Sequence, residues 1–435
     1  MAKVLFLCYY FPPMGMGGTQ RSAKFVKYLP AFGWQPVVVT VTDVIYYAQD
    51  YSLLDELRHT RIIRTGSLDP LRLWQKLFRS EKPQSTSATS SRFWGSLWNH
   101  LNKLLTSWIF IPDSKILWLP FALFASIKLI AQEKIKVIYT TSPPHSAQLG
   151  GMMLKLLTGA RWVADFRDDW TGGESQPCPT IFHSCLNRLL EKCVLKFADR
   201  VIGMCDFLTE SLRRKSGYAS FKEKFFTLMN GYDAEDFAGL LDLKPHSTFT
   251  ITHSGSISQV SDPQLFLKAI HSLFEQQPAL CNQIRIQFFG SDIFGNLPQA
   301  IEKYCLEKII FPATYLPHRQ VLEEIMKSHL LLLIIHKQSA EEIITGKVFE
   351  YLASGKPILL LSEEGTVARL LQKLERGTVV RNDDSDAIQQ AVLSYFRLFK
   401  KGGLNFSPAL ALRQYERKAQ TEQLAGTFFE LLDRN

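Results

Sequence analysis

Glu342, Lys347 and Glu350 are the side chains whose types and spacing best suit chemistry. They stand in Glu342-Ile-Ile-Thr-Gly-Lys-Val-Phe-Glu350, which runs on into Tyr351-Leu-Ala-Ser-Gly-Lys-Pro357. Thr345 is a natural N-cap, which makes Gly346 and Lys347 the first residues of a helix. A helix start offers backbone N–H groups with no intrahelical acceptor. A lysine there adds positive charge, so the position suits a phosphate. Glu350 lies one turn further on the same helix face. A carboxylate at that point can accept hydrogen bonds from sugar or ribose hydroxyls. Together these groups describe a pocket for a phosphate joined to a polyol. Residue types and spacing leave a second reading open, a solvated Lys/Glu pair on a helix surface.

Other candidates fall at comparable places. Phe11-Pro-Pro-Met-Gly-Met-Gly-Gly18-Thr-Gln-Arg21 puts Gly17 and Gly18 between an apolar run and a helical one. Glycines there let backbone N–H groups approach a bound group closely. A plain tight turn is the alternative, because neither Gly-x-Gly-x-x-Gly nor a phosphate loop ending in Gly-Lys-Ser/Thr is present. Arg21 is either a further ligand contact or an exposed helix arginine. Thr141-Ser-Pro-Pro-His145-Ser opens another helix, and His145 is either a polar contact to a sugar or a helix-start histidine without a chemical role. Asp165-Phe-Arg167-Asp168-Asp169-Trp170 reads as a hydrogen-bonded loop, in which Trp170 either stacks on a sugar ring or packs. His253-Ser-Gly255-Ser256 follows a further apolar run, and Gly290-Ser291 and Tyr315-Leu-Pro-His318 occupy two more strand-end positions.

These groups need strands to hold them. Residues 330–335 and 357–361 are short apolar runs without alternation, so they read as strands buried on both faces of a parallel sheet. In the first half, strands are expected over 4–9, 37–41, 61–64, 136–141, 162–166 and 200–203, and helices over 19–32, 145–158 and 183–197. A polar connector begins at Asn230-Gly-Tyr-Asp233. A second series follows, with strands over 249–253, 285–289, 330–335, 357–361 and 377–380, and a closing helical segment over 409–432. Two doubly wound α/β sheets result, and such sheets bind ligands outside the carboxyl ends of their strands.

Composition bounds the reading. A chain of 435 residues, 46 % hydrophobic and 21 % charged, has material for two cores. Fifty basic and 41 acidic residues leave a net charge of +9, which fits anionic nucleotides or an acidic membrane surface. No arginine-rich arm or nucleic-acid module is present, so no nucleic-acid partner is expected. The seven cysteines form no Cys-x-x-Cys pair, and no histidine completes a zinc spacing with Cys178, Cys185 and Cys193, so a reducing cytosol and no metal are expected. Met1-Ala-Lys-Val-Leu-Phe-Leu enters a strand directly, without the look of a secretory leader. The apolar stretch 116–131 carries Pro120 and Lys128 and is expected to be too short to span a bilayer. Trp94, Trp98, Trp108 and Trp118, with Phe93, Phe110, Phe121, Arg92, Lys103 and Lys115, suit either a membrane interface or a core.

The pattern resembles the retaining glycosyltransferases of the GT-B fold, family 4 of the sugar transferases. The likeness rests on Glu342-x7-Glu350 with Gly346-Lys-x-x-Glu-Tyr-Leu-Ala-Ser-Gly-Lys-Pro357. It is strongest over 330–361, good at 11–21, 160–171 and 228–256, and vague between 45 and 130. Asp165-Phe-Arg-Asp-Asp-Trp170 is similar to a stretch common in a bacterial branch of that family, which points to surface-polysaccharide assembly. The resemblance implies an α/β GT-B fold, two Rossmann-like doubly wound domains facing across a cleft. Residues 1–230 would be the acceptor domain, 231–408 the nucleotide-sugar donor domain and 409–435 a helix packing back toward the first.

The same resemblance implies transfer of a sugar from a nucleotide-diphosphate sugar to an acceptor hydroxyl, lipid-linked or on a glycan, with retention of configuration. Glu350 would hold the ribose and Glu342 the transferred sugar. Lys347, Gly346 and the Gly255-Ser256 turn would hold the diphosphate, and Gly17 and Gly18 would add donor contacts. His145 and Asp168 join Glu342 as catalytic candidates. The nucleotide sugar is a substrate, no cofactor is implied, and the setting is cytoplasmic, at the inner face of a membrane. One feature departs from the family: many relatives carry Arg or Lys shortly after the Gly-Ser/Thr turn, where this chain has Ser258-Gln-Val-Ser-Asp262. Two alternatives stay open, a nucleotide-sugar epimerase of the same architecture and a non-catalytic sugar-binding homologue.

Overall fold

The structure is a computed structural model that describes residues 1–15, 17–42, 49–68, 108–172, 179–217, 222–293, 295–314, 316–336, 340–341, 344–404 and 410–433. Glu342 lies outside the described residues, as do Tyr315, Cys178 and the aromatic and basic residues 92, 93, 94, 98 and 103. The chain forms two compact units, Met1–Met229 with Thr421–Asn435, and Asn230–Gln420.

The first unit is built on seven parallel strands: β1 (Ala2–Leu7), β2 (Trp34–Val41), β3 (Arg61–Thr65), β4 (Val137–Ser142), β5 (Arg161–Phe166), β6 (Arg200–Gly203) and β7 (Phe225–Thr227). Their order is β3-β2-β1-β4-β5-β6-β7. The chain winds outward from β1 to β3, then crosses to β4 on the other side of β1. The carboxyl ends of β1 and β4 therefore form the topological switch point. Helices cover both faces, which is why β4 is buried at every position. Phe6, Phe25, Trp34, Val38, Tyr139 and Val163 share one core cluster with Leu424 and Phe428 of the helix Arg417–Asp433. The Phe428 ring lies 5.3 Å from that of Trp34.

The second unit has six parallel strands: β8 (Phe249–Ser254), β9 (Ile284–Phe289), β10 (Ile310–Thr314), β11 (Leu330–Ile334), β12 (Ile358–Leu361) and β13 (Thr378–Val380). Their order, β10-β9-β8-β11-β12-β13, puts this switch point between β8 and β11. Every residue of β11 and β12 is buried, as expected of apolar runs covered on both faces.

Two strands escaped the sequence reading. β7 is three residues long. β10 contains Pro312, which argues against a central strand, but it lies at the sheet edge, where a missing N–H is tolerated. Its register to β9 shifts between Phe311 and Thr314. The reading of 116–131 as too short to span a bilayer is corrected in length. Ser114–Glu133 is a 20-residue helical segment, long and apolar enough to cross a membrane by length and composition. One stripe of it is nevertheless buried, including Trp118, Ala122 and Ser126, and Trp118 Nε1 donates to Thr65 Oγ1 at 2.7 Å.

Candidate functional site

At the second switch point β8 ends in His253 and Ser254, and the chain turns through Gly255 at φ +104°. Only glycine adopts that backbone readily. The space beside it is taken as well: a Cβ on Gly255 would lie 2.3 Å from Lys347 Cε and 2.5 Å from Nζ. Lys347 reaches this point as the second residue of the helix Gly346–Ser354, with Thr345 in extended conformation at the N-cap. Gly290, after β9, lets the same turn close: a Cβ there would lie 2.4 Å from Gly255 O, and its φ is +138°. The Gly255 amide donates to Phe289 O at 2.6 Å. Tyr351 ties the two switch-point strands together, its hydroxyl accepting from Ser254 N at 2.8 Å and donating to Leu332 O at 3.4 Å. Gly346 is less constrained, since a Cβ there would meet only Asn230 Nδ2 at 3.6 Å.

Serines close this turn. Ser261 Oγ donates to Ser256 O at 2.8 Å, and Ser258 N donates to Ser261 Oγ at 3.2 Å. The Ser256 side chain is exposed. Among the described residues, Lys347 is therefore the cation packed on the Gly255 turn.

Several polar groups here lack a protein partner among the described residues. Thr345 Oγ1 is buried without one, so it does not cap its helix through its side chain. The Lys347 ammonium has no acceptor. His253 is fully buried; its Nδ1 donates to Leu332 O at 3.0 Å, which leaves Nε2 as a bare acceptor with no donor. Burial pushes this imidazole well below its usual pKa, and the Lys347 charge adds to the effect. Burial also lowers Lys347 to about 8, with Glu350 opposing. An unsatisfied buried polar group costs about 1–3 kcal/mol. Lys347, Thr345 and the helix N–H groups are donors, whereas His253 Nε2 is an acceptor. A ligand with both anionic oxygens and hydroxyls matches the set. One turn further, Glu350 Oε1 lies 2.9 Å from His318 Nε2, a partner the spacing of the motif does not reveal.

The first switch point gathers the other candidates. Gly17 and Gly18 open the helix Gly17–Tyr28. A Cβ on Gly18 would lie 1.7 Å from Arg167 Nη1, so the guanidinium rests on this glycine. Arg167 is fixed from behind, its Nε donating to Ser142 O at 3.2 Å and its Nη2 to Pro143 O at 2.6 Å. It thus joins the ends of β4 and β5 to the first turn of the helix after β1, a role the sequence does not disclose.

Arg21 corrects both of its expected roles. It is fully buried and pairs bidentately with Asp165, at 3.0 Å on each arm. Two of its three other N–H groups donate to Met229 O at 2.7 Å and Leu228 O at 2.8 Å. Asp165 also accepts from Tyr139 at 2.6 Å and Thr141 at 3.1 Å. Every nitrogen and oxygen of the pair has a partner, which holds the end of the first unit in place.

His145 precedes the helix Ser146–Thr158, whose first turn is capped by Asp113 Oδ2 accepting from Ser146 N at 3.0 Å. The His145 ring stacks on Trp170 at 5.0 Å and 7°. Trp170 in turn donates to Asn187 Oδ1 at 2.9 Å, so the tryptophan packs on protein through one face. Burial pushes His145 down to about 3, against the pull of Asp169, and its Nδ1 is buried without a partner among the described residues. It is a neutral imidazole at physiological pH. Asp168 is exposed on the loop beside Arg167. Asp169 is engaged by Lys215, by Ser211 Oγ at 2.9 Å and by Gly172 N at 3.1 Å.

Comparison with known proteins adds to this geometry. Residues 16–222 match the glycosyl transferase 4-like domain, which covers just under half of the chain. No curated protein matches. Among solved structures, a glycosyltransferase from Rickettsia africae ESF-5 is similar at TM-score 0.66 and 13 % identity, over 100 % of this chain and 99 % of that one. A sucrose-phosphate synthase from Thermosynechococcus elongatus is similar at TM-score 0.63 and 16 % identity, over 100 % of both chains. A putative UDP-N-acetylglucosamine 2-epimerase from Listeria monocytogenes follows at TM-score 0.57 and 10 % identity, over 100 % of this chain and 97 % of that one. At these identities the likeness is one of fold, and the fold is of the GT-B kind, with two parallel α/β sheets.

Proposed function

We propose that this chain, a glycosyltransferase through the 4-like domain it carries, moves a sugar from a nucleotide-diphosphate sugar to an acceptor hydroxyl with retention of configuration. The observation that carries the donor site is Lys347 lying against Gly255 at the head of the helix Gly346–Ser354, with Thr345 Oγ1 and His253 Nε2 unpartnered beside it among the described residues. In this reading Lys347, Thr345, Gly346 N–H and the Gly255-Ser256 turn receive the diphosphate. Glu350 receives the ribose, and Glu342 takes the transferred sugar by its place in the motif. Gly17, Gly18, His145 and Asp168 are the first unit's contacts in the reaction. His145 serves there as a neutral hydrogen-bonding group, because an imidazole with a pKa of about 3 holds no second proton to give.

The chemistry asks little of a general base. The bond from the sugar to the diphosphate oxygen breaks as the acceptor oxygen bonds the same carbon on the same face. The departing diphosphate takes the acceptor's proton. Negative charge grows on the leaving group, and a fixed ammonium with helix N–H groups aimed at it lowers that barrier without reorganising. Positioning of the two substrates supplies much of the remainder.

The acceptor is proposed to be a lipid-linked or polymeric glycan in bacterial surface-polysaccharide assembly, met at the cytoplasmic face of a membrane. Apolar exposure on the first unit supports this. Phe124 is 76 % exposed, and Ile181 and Phe182 are 84 % and 68 % exposed. Lys128, Arg188 and Lys192 belong to the same helices, Leu119–Glu133 and Ile181–Phe197.

The epimerase reading shares the fold but fares worse on geometry. Two of the carboxylates it would draw on, Asp165 and Asp169, are committed to Arg21 and to Lys215 with Ser211. Calorimetry with UDP-, GDP- and ADP-sugars, beside Lys347→Ala and Glu350→Ala, tests the donor site. One donor should bind, at least about tenfold more weakly in each variant. A folded protein that binds none of them would overturn the transferase reading in favour of a non-catalytic homologue.

A further inference from the structure

We infer that His318 is a positioning residue for nucleotide recognition: it holds the Glu350 carboxylate in the orientation that receives the ribose hydroxyls. The inference rests on Glu350 being the ribose contact, as proposed above. His318 opens the helix His318–Lys327, and Glu350 lies on the helix Gly346–Ser354, which packs beside it. The contact between His318 Nε2 and Glu350 Oε1 is 2.9 Å, and both side chains are mostly buried, at 18 % and 17 % exposure.

His318 is itself held by its element. Arg319, the next residue, donates to Asp236 O at 3.2 Å and Ala238 O at 2.9 Å, which anchors the helix start to the segment after Asn230. The Glu350 side chain has three rotatable bonds and, among the described residues, no second hydrogen-bond partner. His318 takes one carboxylate oxygen and leaves Oε2 open to a diol. Without it Glu350 would sample several rotamers, and the ordering would be charged to each binding event.

The Lys347 charge on the same helix face strengthens the case, because it lies one turn from Glu350 and pulls on it. A direct Lys347–Glu350 ion pair would remove both from ligand duty. The bond to His318 keeps the carboxylate away from that collapse. Lys347 is thereby left for phosphate and Glu350 for ribose.

The test uses the full chain with UDP, GDP and ADP and their 2′,3′-dideoxy counterparts, and compares the wild type with His318→Ala, His318→Gln and Glu350→Ala. The readout is the affinity ratio of ribo to dideoxy nucleotide for the base that binds, which is insensitive to any misfolded fraction. The wild type should prefer the ribo form. Glu350→Ala should abolish the preference, His318→Ala should reduce it by about three- to tenfold, and His318→Gln, whose amide can still donate, should restore most of it. A His318→Ala protein that keeps the full ratio while Glu350→Ala loses it would overturn the inference and leave the donor site standing. A ratio unaffected by Glu350→Ala, or no nucleotide bound by the wild type, would overturn the donor-site reading and this inference with it.

Discussion

Donor affinity should fall as pH rises through the titration of Lys347. Burial holds this ammonium at a pKa of about 8 in the ligand-free protein, where an ordinary lysine titrates at 10.5. Diphosphate oxygens beside it favour the charged form and lift that pKa again. Binding is then linked to protonation. With a free-state pKa of about 8, the charged fraction falls from roughly nine-tenths at pH 7 to roughly one-tenth at pH 9, and affinity falls about tenfold. The stability of the ligand-free protein moves the other way. Its folded pKa lies below the unfolded one, so between about 8 and 10.5 the unfolded chain binds more protons and stability rises with pH. Lys347→Met separates the effects: it should remove a burial cost of up to about 3 kcal/mol, weaken donor binding, and flatten the pH dependence. Calorimetry with an intact nucleotide sugar at pH 7, 8 and 9, in two buffers of different ionisation enthalpy, measures affinity and proton uptake together. Equal wild-type affinity at pH 7 and 9, or the same slope in Lys347→Met, would refute the reasoning.

Two further outcomes follow from the first unit. Arg21→Met leaves Asp165 buried without its counter-charge and frees the carbonyls of Leu228 and Met229, so denaturant unfolding should register a loss of about 3–5 kcal/mol. Replacing exposed Phe124 and Phe182 by serine should leave stability nearly unchanged and weaken binding to anionic vesicles at least about tenfold in co-sedimentation, since each aromatic that inserts contributes roughly 1.5–3 kcal/mol. Equal sedimentation of the variant would remove the support for membrane contact from these residues.

Much of the fold is legible because both sheets are parallel and covered on each face. Runs such as Leu330-Leu-Leu-Leu-Ile334 and Val37-Val-Val39 carry no alternation, and only a doubly buried strand explains that. β7 and β10 were missed for local reasons, shortness in one and Pro312 in the other, and both are edge strands, where the burial that makes a strand legible is weakest. The candidate site was legible as residue types at strand ends, but the contacts within it were not. That Lys347 lies on Gly255, Arg167 on Gly18 and His318 on Glu350 depends on how helices dock, which one-dimensional spacing does not encode.

Asp165 interrupts the apolar run Trp162-Val-Ala-Asp-Phe166, and His253 stands in Phe249-Thr-Ile-Thr-His-Ser254. A polar side chain within a strand buried on both faces must find a partner, so each position foretold a buried counterpart. The structure separates the two by how completely that demand is met. Asp165 has Arg21, Tyr139 and Thr141 and leaves no capacity for a ligand. His253 satisfies Nδ1 through Leu332 and leaves Nε2 without a partner among the described residues, close enough to Lys347 to feel its charge. Folding alone gives no reason to keep an acceptor unsatisfied beside a cation that has no acceptor among the described residues. A ligand that offers oxygens to Lys347 and a hydroxyl to His253 does. The buried carboxylate in β5 is accordingly part of the architecture, and the buried imidazole at the end of β8 belongs with the proposed donor site.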